Sequence, residues 1–204
     1  MARKTIAIIG ATSLRGTAIA RSLANTKQHL LLMSDEKDQL EGLIKDLKEH
    51  SMAEVEAISC AKEACWEADI IILASAKKEV AEKIKEVAIG KIVVSVSNPQ
   101  ENIGQLTDTS LAEELQRELP YSKVVKTFNT SQNENFISPV IDGKSYDTFI
   151  AGNNSDAIES VSELIRSIGL NPFVVGDLSM SRALERMHQL LIRKTIEHNN
   201  GLAF

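Results

Sequence analysis

Short runs of branched apolar residues at 5–9, 30–33, 55–59, 70–73, 92–96 and 124–128 alternate with stretches of helical period. Few architectures accept that rhythm, because strands separated by helix-length connections pair in parallel and each returns through a crossover helix. Leu40, Leu43, Ile44 and Leu47 fall at i, i+3, i+4 and i+7, and Val80, Ile84 and Val87 keep a similar spacing further on. Each set makes one apolar helix face able to lie on a sheet. The run Ile70-Ile71-Ile72-Leu73 is apolar throughout, which suits a strand buried on both faces, and it is expected at the centre of the sheet. After Phe128 the pattern changes to a polar stretch over 130–135, Pro139, a strand over 148–150, a helix from about Ser155 to Ile168, a strand over 173–175 and a last helix over Ser181 to His198. The chain's 204 residues suffice for one such domain and not for two full-sized ones. The expectation is a single α/β domain over 1–204: a mainly parallel sheet flanked by helices within 1–130, and a small C-terminal α/β extension over 131–204 that ends in a helix.

The first strand runs directly into Gly10-Ala11-Thr12-Ser13-Leu14-Arg15-Gly16, and Ala18, Ile19 and Leu23 then mark a helix face. A glycine turn between strand and helix aims backbone N–H groups and the positive end of the helix dipole at one point, and its missing side chains let a diphosphate come close. The fold expected is therefore of the Rossmann type, with 1–130 as its dinucleotide-binding core, and the ligand expected is NAD or NADP. Ser13 stands where such turns carry their middle glycine; its hydroxyl, like that of Thr12, can donate to a phosphate. Leu14 and Arg15 open the helix, and the Arg15 guanidinium either reaches a phosphate or is a solvated surface group. The second strand ends at Ser34-Asp35. An acidic residue about 20 positions after the turn accepts from ribose hydroxyls and repels a 2′-phosphate, which favours NAD. Lys37 offsets part of that repulsion, and a plain helix cap is the structural alternative for Asp35.

In open α/β sheets, ligands bind beyond the carboxyl ends of the strands. The loops Ala74-Ser75-Ala76, Ser97-Asn98-Pro99 and Asn129-Thr130-Ser131 lie there, with small or amide-bearing side chains where a ribose and a nicotinamide would rest. The histidines sit at 29, 50, 188 and 198, away from these loops in sequence, and no catalytic residue is assigned. Carbonyl reduction needs a proton donor beside the hydride acceptor, whereas exchange with a flavin-like ring mainly needs two rings held face to face. His188 can approach from the last helix, although a core or surface histidine is the commoner reading of such a position. Leu184, Met187 and Leu191 give that helix an apolar stripe, which packs on its own domain or makes a homodimer contact.

Composition narrows the partners. A formal charge of -5 without a basic cluster offers no electrostatic footprint for nucleic acid. Cys60 and Cys65 form no CxxC and no zinc signature, so no metal site is expected and both are read as small buried or half-buried thiols. The early apolar run stops at Gly10 and the longest, Ile70 to Ala76, falls far short of the roughly 20 residues a spanning helix needs. A cytoplasmic protein that meets a small-molecule substrate and no membrane is the expectation.

Beyond the fold, the chain resembles the deazaflavin (coenzyme F-420) dependent NADP oxidoreductases and, more distantly, the cytosolic oxidoreductase domain of the STEAP metalloreductases. The resemblance rests on the Gly10–Gly16 turn, Val96-Ser97-Asn98-Pro99, Val124-Val125-Lys126-Thr127-Phe128-Asn129-Thr130, Phe149-Ile150-Ala151-Gly152-Asn153-Asn154, and the stretch from Gly176 to Glu185. It implies hydride transfer between a nicotinamide and a deazaflavin or flavin, with the phosphate turn, Ser34 and its neighbours, the Asn98-Pro99 loop and Phe128-Asn129 lining the site. The chain departs from that pattern at Ser13, at Ser75-Ala76 where a proline is common, and at Asp35, which replaces the arginine of NADP-using members. The function expected is an NAD(P)H-dependent oxidoreductase with a flavin-like or deazaflavin acceptor. The alternative is a sensor or regulatory module that binds the dinucleotide without turning it over.

Overall fold

A computed structural model describes residues 3–74, 78–99, 108–129, 139–141 and 144–199. Strand β1 (Thr5–Ile9) leads into helix α1 (Leu14–Ala24), and the alternation continues through β2 (His29–Met33), α2 (Lys37–His50), β3 (Glu54–Ala57), α3 (Ala61–Glu67), β4 (Ile70–Leu73), α4 (Lys78–Ile84), β5 (Ile92–Ser95), α5 (Leu111–Glu118) and β6 (Lys123–Lys126). A short hairpin, β7 (Val140–Ile141) with β8 (Lys144–Ser145), then precedes β9 (Asp147–Gly152), α6 (Ser155–Ser167), β10 (Asn171–Gly176), a 3-10 turn (Leu178–Met180) and α7 (Ser181–Asn199).

The main sheet has the order β10-β9-β6-β5-β4-β1-β2-β3. Read from the β3 edge, its first strands run 3-2-1-4-5-6, the doubly wound Rossmann order, in which the winding reverses between β1 and β4 and leaves a crevice at their carboxyl ends. Strand β4 lies between β1 and β5 with all of its residues buried, as its unbroken apolar run predicts. Every pairing in this sheet is parallel except β6 with β9. The described residues between those two strands include the β7–β8 hairpin.

Successive residues of each strand feed opposite layers, as the period of 2 requires. Ile6, Ile8, Leu30, Leu32, Ile70 and Ile72 meet the apolar faces of α1, α2 and α6 on one side. Ala7, Ile9, Leu31, Ile71 and Leu73 meet Ala61, Ala64, Cys65, Ile84 and Ala112 on the other. Cys65 is buried as expected, and burial pushes its thiol up to about 12. Cys60 is exposed, contrary to expectation: it occupies the N-cap position of α3, one residue before the apolar face begins. On α7, Leu184 is buried and Met187 half-buried, so the start of the stripe packs on its own chain; the side chain of Leu191 lies outside the described ones. Among the described residues, no helix is long and apolar enough to cross a membrane.

Candidate functional site

The turn after β1 is built so that only glycine serves at its two ends. Gly10 has a φ of 83°, in the left-handed region that L side chains resist, and the N–H groups of Gly10 and Ala11 both donate to Met33 O at the end of β2, at 2.9 and 3.0 Å. At Gly16 a Cβ would stand 2.3 Å from the carbonyl oxygen of Gly10, so α1 can lie this close to β1 only without one. Ser13 caps α1: its Oγ accepts from Gly16 N at 3.0 Å and donates to Ala74 O at 3.2 Å. The hydroxyl that the sequence offers to a phosphate is thus engaged inside the protein, tying the turn to the end of β4. Thr12 Oγ1 lies 2.5 Å from Ser34 Oγ, which also accepts from Glu36 N at 3.2 Å. Leu14 leaves its side chain 76% exposed, so what it offers a ligand is its backbone.

Beside the turn opens a cleft of about 590 Å³ whose wall includes Gly10, Thr12, Ser13, Ser34, Asp35 and Lys83. That volume lies in the range of small-molecule pockets. Asp35 lines it, and the N-cap position of α2 falls on Glu36, not on Asp35. Lys37 is exposed at the start of α2 and is not among the described cleft-lining residues; among those, the cation is Lys83, which shares α4 with Glu79, also a lining residue. Sequence reading passed over Glu79 and Lys83 because their i, i+4 spacing is that of any solvated helix face, and only the packing of α4 turns them toward Asp35.

The other strand-end loops meet on the far side of the turn. Arg15 is half-buried rather than solvated, and its guanidinium donates to the carbonyl oxygen of Phe128. Phe128 itself is buried at a φ of 59°, a conformation costing a non-glycine residue about 1–3 kcal/mol. Asn98 Nδ2 donates to Asn129 O at 2.9 Å. Asn129 Nδ2 donates to Asn98 Oδ1 at 3.1 Å and to Leu184 O at 3.0 Å. Asn129 Oδ1 and Thr127 Oγ1 are buried with no hydrogen-bond partner among the described residues. Pro99 is half-buried next to Asn98, and Ala74 is half-buried at the end of β4, while Ser75 lies outside the described residues.

Under these loops sits a group that sequence reading did not single out. Lys126 is fully buried, its ammonium 2.8 Å from the Glu185 carboxylate and donating to Ser97 O. Glu185 in turn accepts from the N–H groups of Leu111 and Ala112 at 3.0 and 3.4 Å, at the positive end of α5. Burial lowers the Lys126 pKa, and Glu185 opposes that shift. His188, half-buried one turn further along α7, is pushed down to about 4 by burial, by Arg15 and by Lys126. Turn, loops and last helix are therefore joined by side chains far apart in sequence. At the opposite end of β2 and β3, His29, Glu54 and Glu56 lie together, but Glu54 pairs with Arg3 and Glu56 with His29.

Residues 5–99 match the family model described as NADP oxidoreductase coenzyme F420-dependent. The metalloreductase STEAP3 of Rattus norvegicus is 35% identical over 96 residues, which are 47% of this chain and 20% of that protein; the chain thus spans about a fifth of the length of this curated relative. Among solved structures, a protein of Arthrobacter sp. FB24 assigned as an F420-dependent NADP-reductase superposes with a TM-score of 0.77 at 23% identity, covering 97% of this chain and 95% of that one. Protein SMa0349 of Sinorhizobium meliloti gives 0.68 at 28% identity, covering 87% of each. In its first half, the chain resembles the coenzyme F420-dependent NADP oxidoreductases in sequence, and over nearly its whole length it has a Rossmann-type fold.

Proposed function

We propose that the chain is an NAD(P)-dependent oxidoreductase that holds a nicotinamide dinucleotide across the carboxyl ends of β1, β2, β4, β5 and β6 and serves a flavin-like or deazaflavin acceptor. The observation that carries this reading is the turn itself: Gly10 and Gly16 bring the start of α1 against the end of β1 at the reversal point of the sheet, where backbone N–H groups and the helix dipole favour a diphosphate. The residues present fit the group. Gly10, Thr12, Ser13, Leu14, Arg15 and Gly16 surround the diphosphate position; Ser34 and Asp35, on the wall of the cleft, face the adenosine half; Ala74, Asn98, Pro99, Phe128 and Asn129 border the nicotinamide half. A bound reduced nicotinamide supplies a hydride. The chain's own part is to fix that ring against the acceptor, which the rigid Asn98–Asn129 pair and the Arg15–Phe128 contact achieve by joining the loops on which it would rest.

The cleft favours NAD over NADP. Its lining includes the carboxylates of Asp35, Glu36 and Glu79 against the ammonium of Lys83, a balance that disfavours an added 2′-phosphate. Asp35 accepting from the ribose hydroxyls is the direct form of the same preference.

One observation favours the alternative of a dinucleotide sensor: the side-chain amides of Asn98 and Asn129 already donate to each other's residue and to Leu184, so these donors have protein partners without an acceptor. The two readings separate when the NADH-loaded protein is mixed with FMN, riboflavin or a deazaflavin and loss of nicotinamide absorbance is followed. Oxidation with one of these acceptors supports the oxidoreductase; bound NADH that none of them oxidises supports the sensor.

A further inference from the structure

Ser181, Leu184, Glu185 and His188 share one face of α7, at i, i+3, i+4 and i+7. The first members of the series are fixed to the ends of the sheet. Ser181 Oγ lies 2.5 Å from Ser110 Oγ, Leu184 O holds Asn129 at 3.0 Å, and Glu185 holds Lys126 at 2.8 Å. A side chain one turn further on the same face must therefore stand over the loops bordering the nicotinamide half. The charged groups facing His188 are Arg15 from the first turn of α1 and Lys126 from β6. On its own helix, the Glu185 carboxylate is engaged by Lys126 and by the N–H groups of α5. His188 is half-buried.

We propose that His188 is the proton donor on the acceptor side of this site, its proton affinity raised when an anionic diphosphate fills the turn at Arg15 and its proton passed to the acceptor. The inference rests on the dinucleotide reading given above. Without an anion, burial first, and then the cations of Arg15 and Lys126, keep the imidazole neutral down to a pH of about 4. A diphosphate beside Arg15 offsets the Arg15 part of that shift and raises the proton affinity of the imidazole. The acceptor class is a conjugated C=N or C=O compound, isoalloxazine-like rings included. As its electrophilic atom takes a hydride, the π pair moves to the heteroatom; the imidazolium N–H bond breaks, the new N–H or O–H bond forms there, and neutral imidazole remains to be recharged from water.

The test is an NMR titration of the imidazole resonances from neutral to acid pH, with His188 identified by its loss in His188→Gln. Protein alone should titrate His188 at about 4. With NADH bound, verified in the same sample by nicotinamide fluorescence, the midpoint should rise by about one unit, a tenfold gain in proton affinity; Arg15→Gln should show a rise without ligand. A midpoint that does not move with NADH bound overturns the proposal. If neither NADH nor NADPH binds, the dinucleotide reading falls and this inference with it. In turnover with whichever flavin or deazaflavin is reduced, the fall of kcat above the His188 midpoint should vanish in His188→Gln while NADH affinity is kept. Identical pH profiles for the two proteins would remove the donor role.

Discussion

At the scale of single residues, the site depends on atoms that are missing. Gly16→Ala places a Cβ 2.3 Å from the Gly10 carbonyl, backbone against backbone, where nothing flexible can give way. The expected cost is about 1–3 kcal/mol in urea unfolding, together with loss of dinucleotide affinity as α1 is pushed off the turn; a variant of unchanged stability and affinity would show that the close approach is not needed. Asp35→Arg replaces a carboxylate on the cleft wall with a cation and is expected to raise the NADPH to NADH affinity ratio by about tenfold, roughly 1.4 kcal/mol. Equilibrium titration with each nucleotide measures it, and a constant ratio would mean that Asp35 does not face the ribose. The positions of Gly10, Gly16, Ser34 and Asp35 were legible in the sequence because strand, turn and helix are contiguous there. What Ser13 does was not: its hydroxyl bonds Ala74 O, across a sequence distance that no local pattern encodes.

At the scale of elements, the buried Lys126–Glu185 pair joins β6, the Ser97 loop, the start of α5 and the start of α7. Removing one partner leaves the other charge buried and alone, a loss of about 3–5 kcal/mol. Lys126→Met is therefore expected to be strongly destabilising in urea unfolding. The double variant Lys126→Met with Glu185→Gln is expected to recover part of that loss, since an amide oxygen can still accept from Leu111 and Ala112. Equal losses in single and double variants would show that the charges are not coupled. Parallel strands and amphipathic helices were legible from periodicity, because burial on one face or on both imposes it. The antiparallel β6–β9 pairing and the β7–β8 hairpin were not, since residues of ordinary polarity form them and direction is set by the route of the chain. The burial of Lys126 inside its strand leaves no mark in local sequence; only the arrival of Glu185 from α7 makes it tolerable.

At the scale of the whole molecule, the last helix closes the site, and acid should loosen that closure in stages. His188 in the folded protein is held at about 4 against about 6.5 in an unfolded chain. Between those values the unfolded state binds more protons, so stability is full above the upper one and falls as pH drops toward the lower. Glu113 bonds Arg182 of α7 at 2.6 Å and also caps α5 through Ser110. Arg182 first, then the bonds from Ser110, hold its carboxyl at about 2. Its contribution is present above about 4.3, the unfolded value, and is lost as pH falls toward 2. Urea midpoints across this range should decline in both windows, with His188→Gln flattening the upper one and Glu113→Gln the lower; parallel curves for the variants and the parent would exclude both groups as the source. The Rossmann-type alternation of parallel strands and helices was legible in the sequence, whereas the convergence of Arg15, Lys126, Glu185 and His188 was not, because contacts between the first helix and the last leave no trace in local sequence. The claim on which the rest stands is that the Gly10–Gly16 turn holds a nicotinamide dinucleotide. Fluorescence titration of the parent and of Gly10→Val with NADH and NADPH tests it most directly: the account predicts saturable binding by the parent, tighter for NADH, and none by a Gly10→Val protein that keeps its circular dichroism. Binding by neither protein, or equal binding by both, would contradict it.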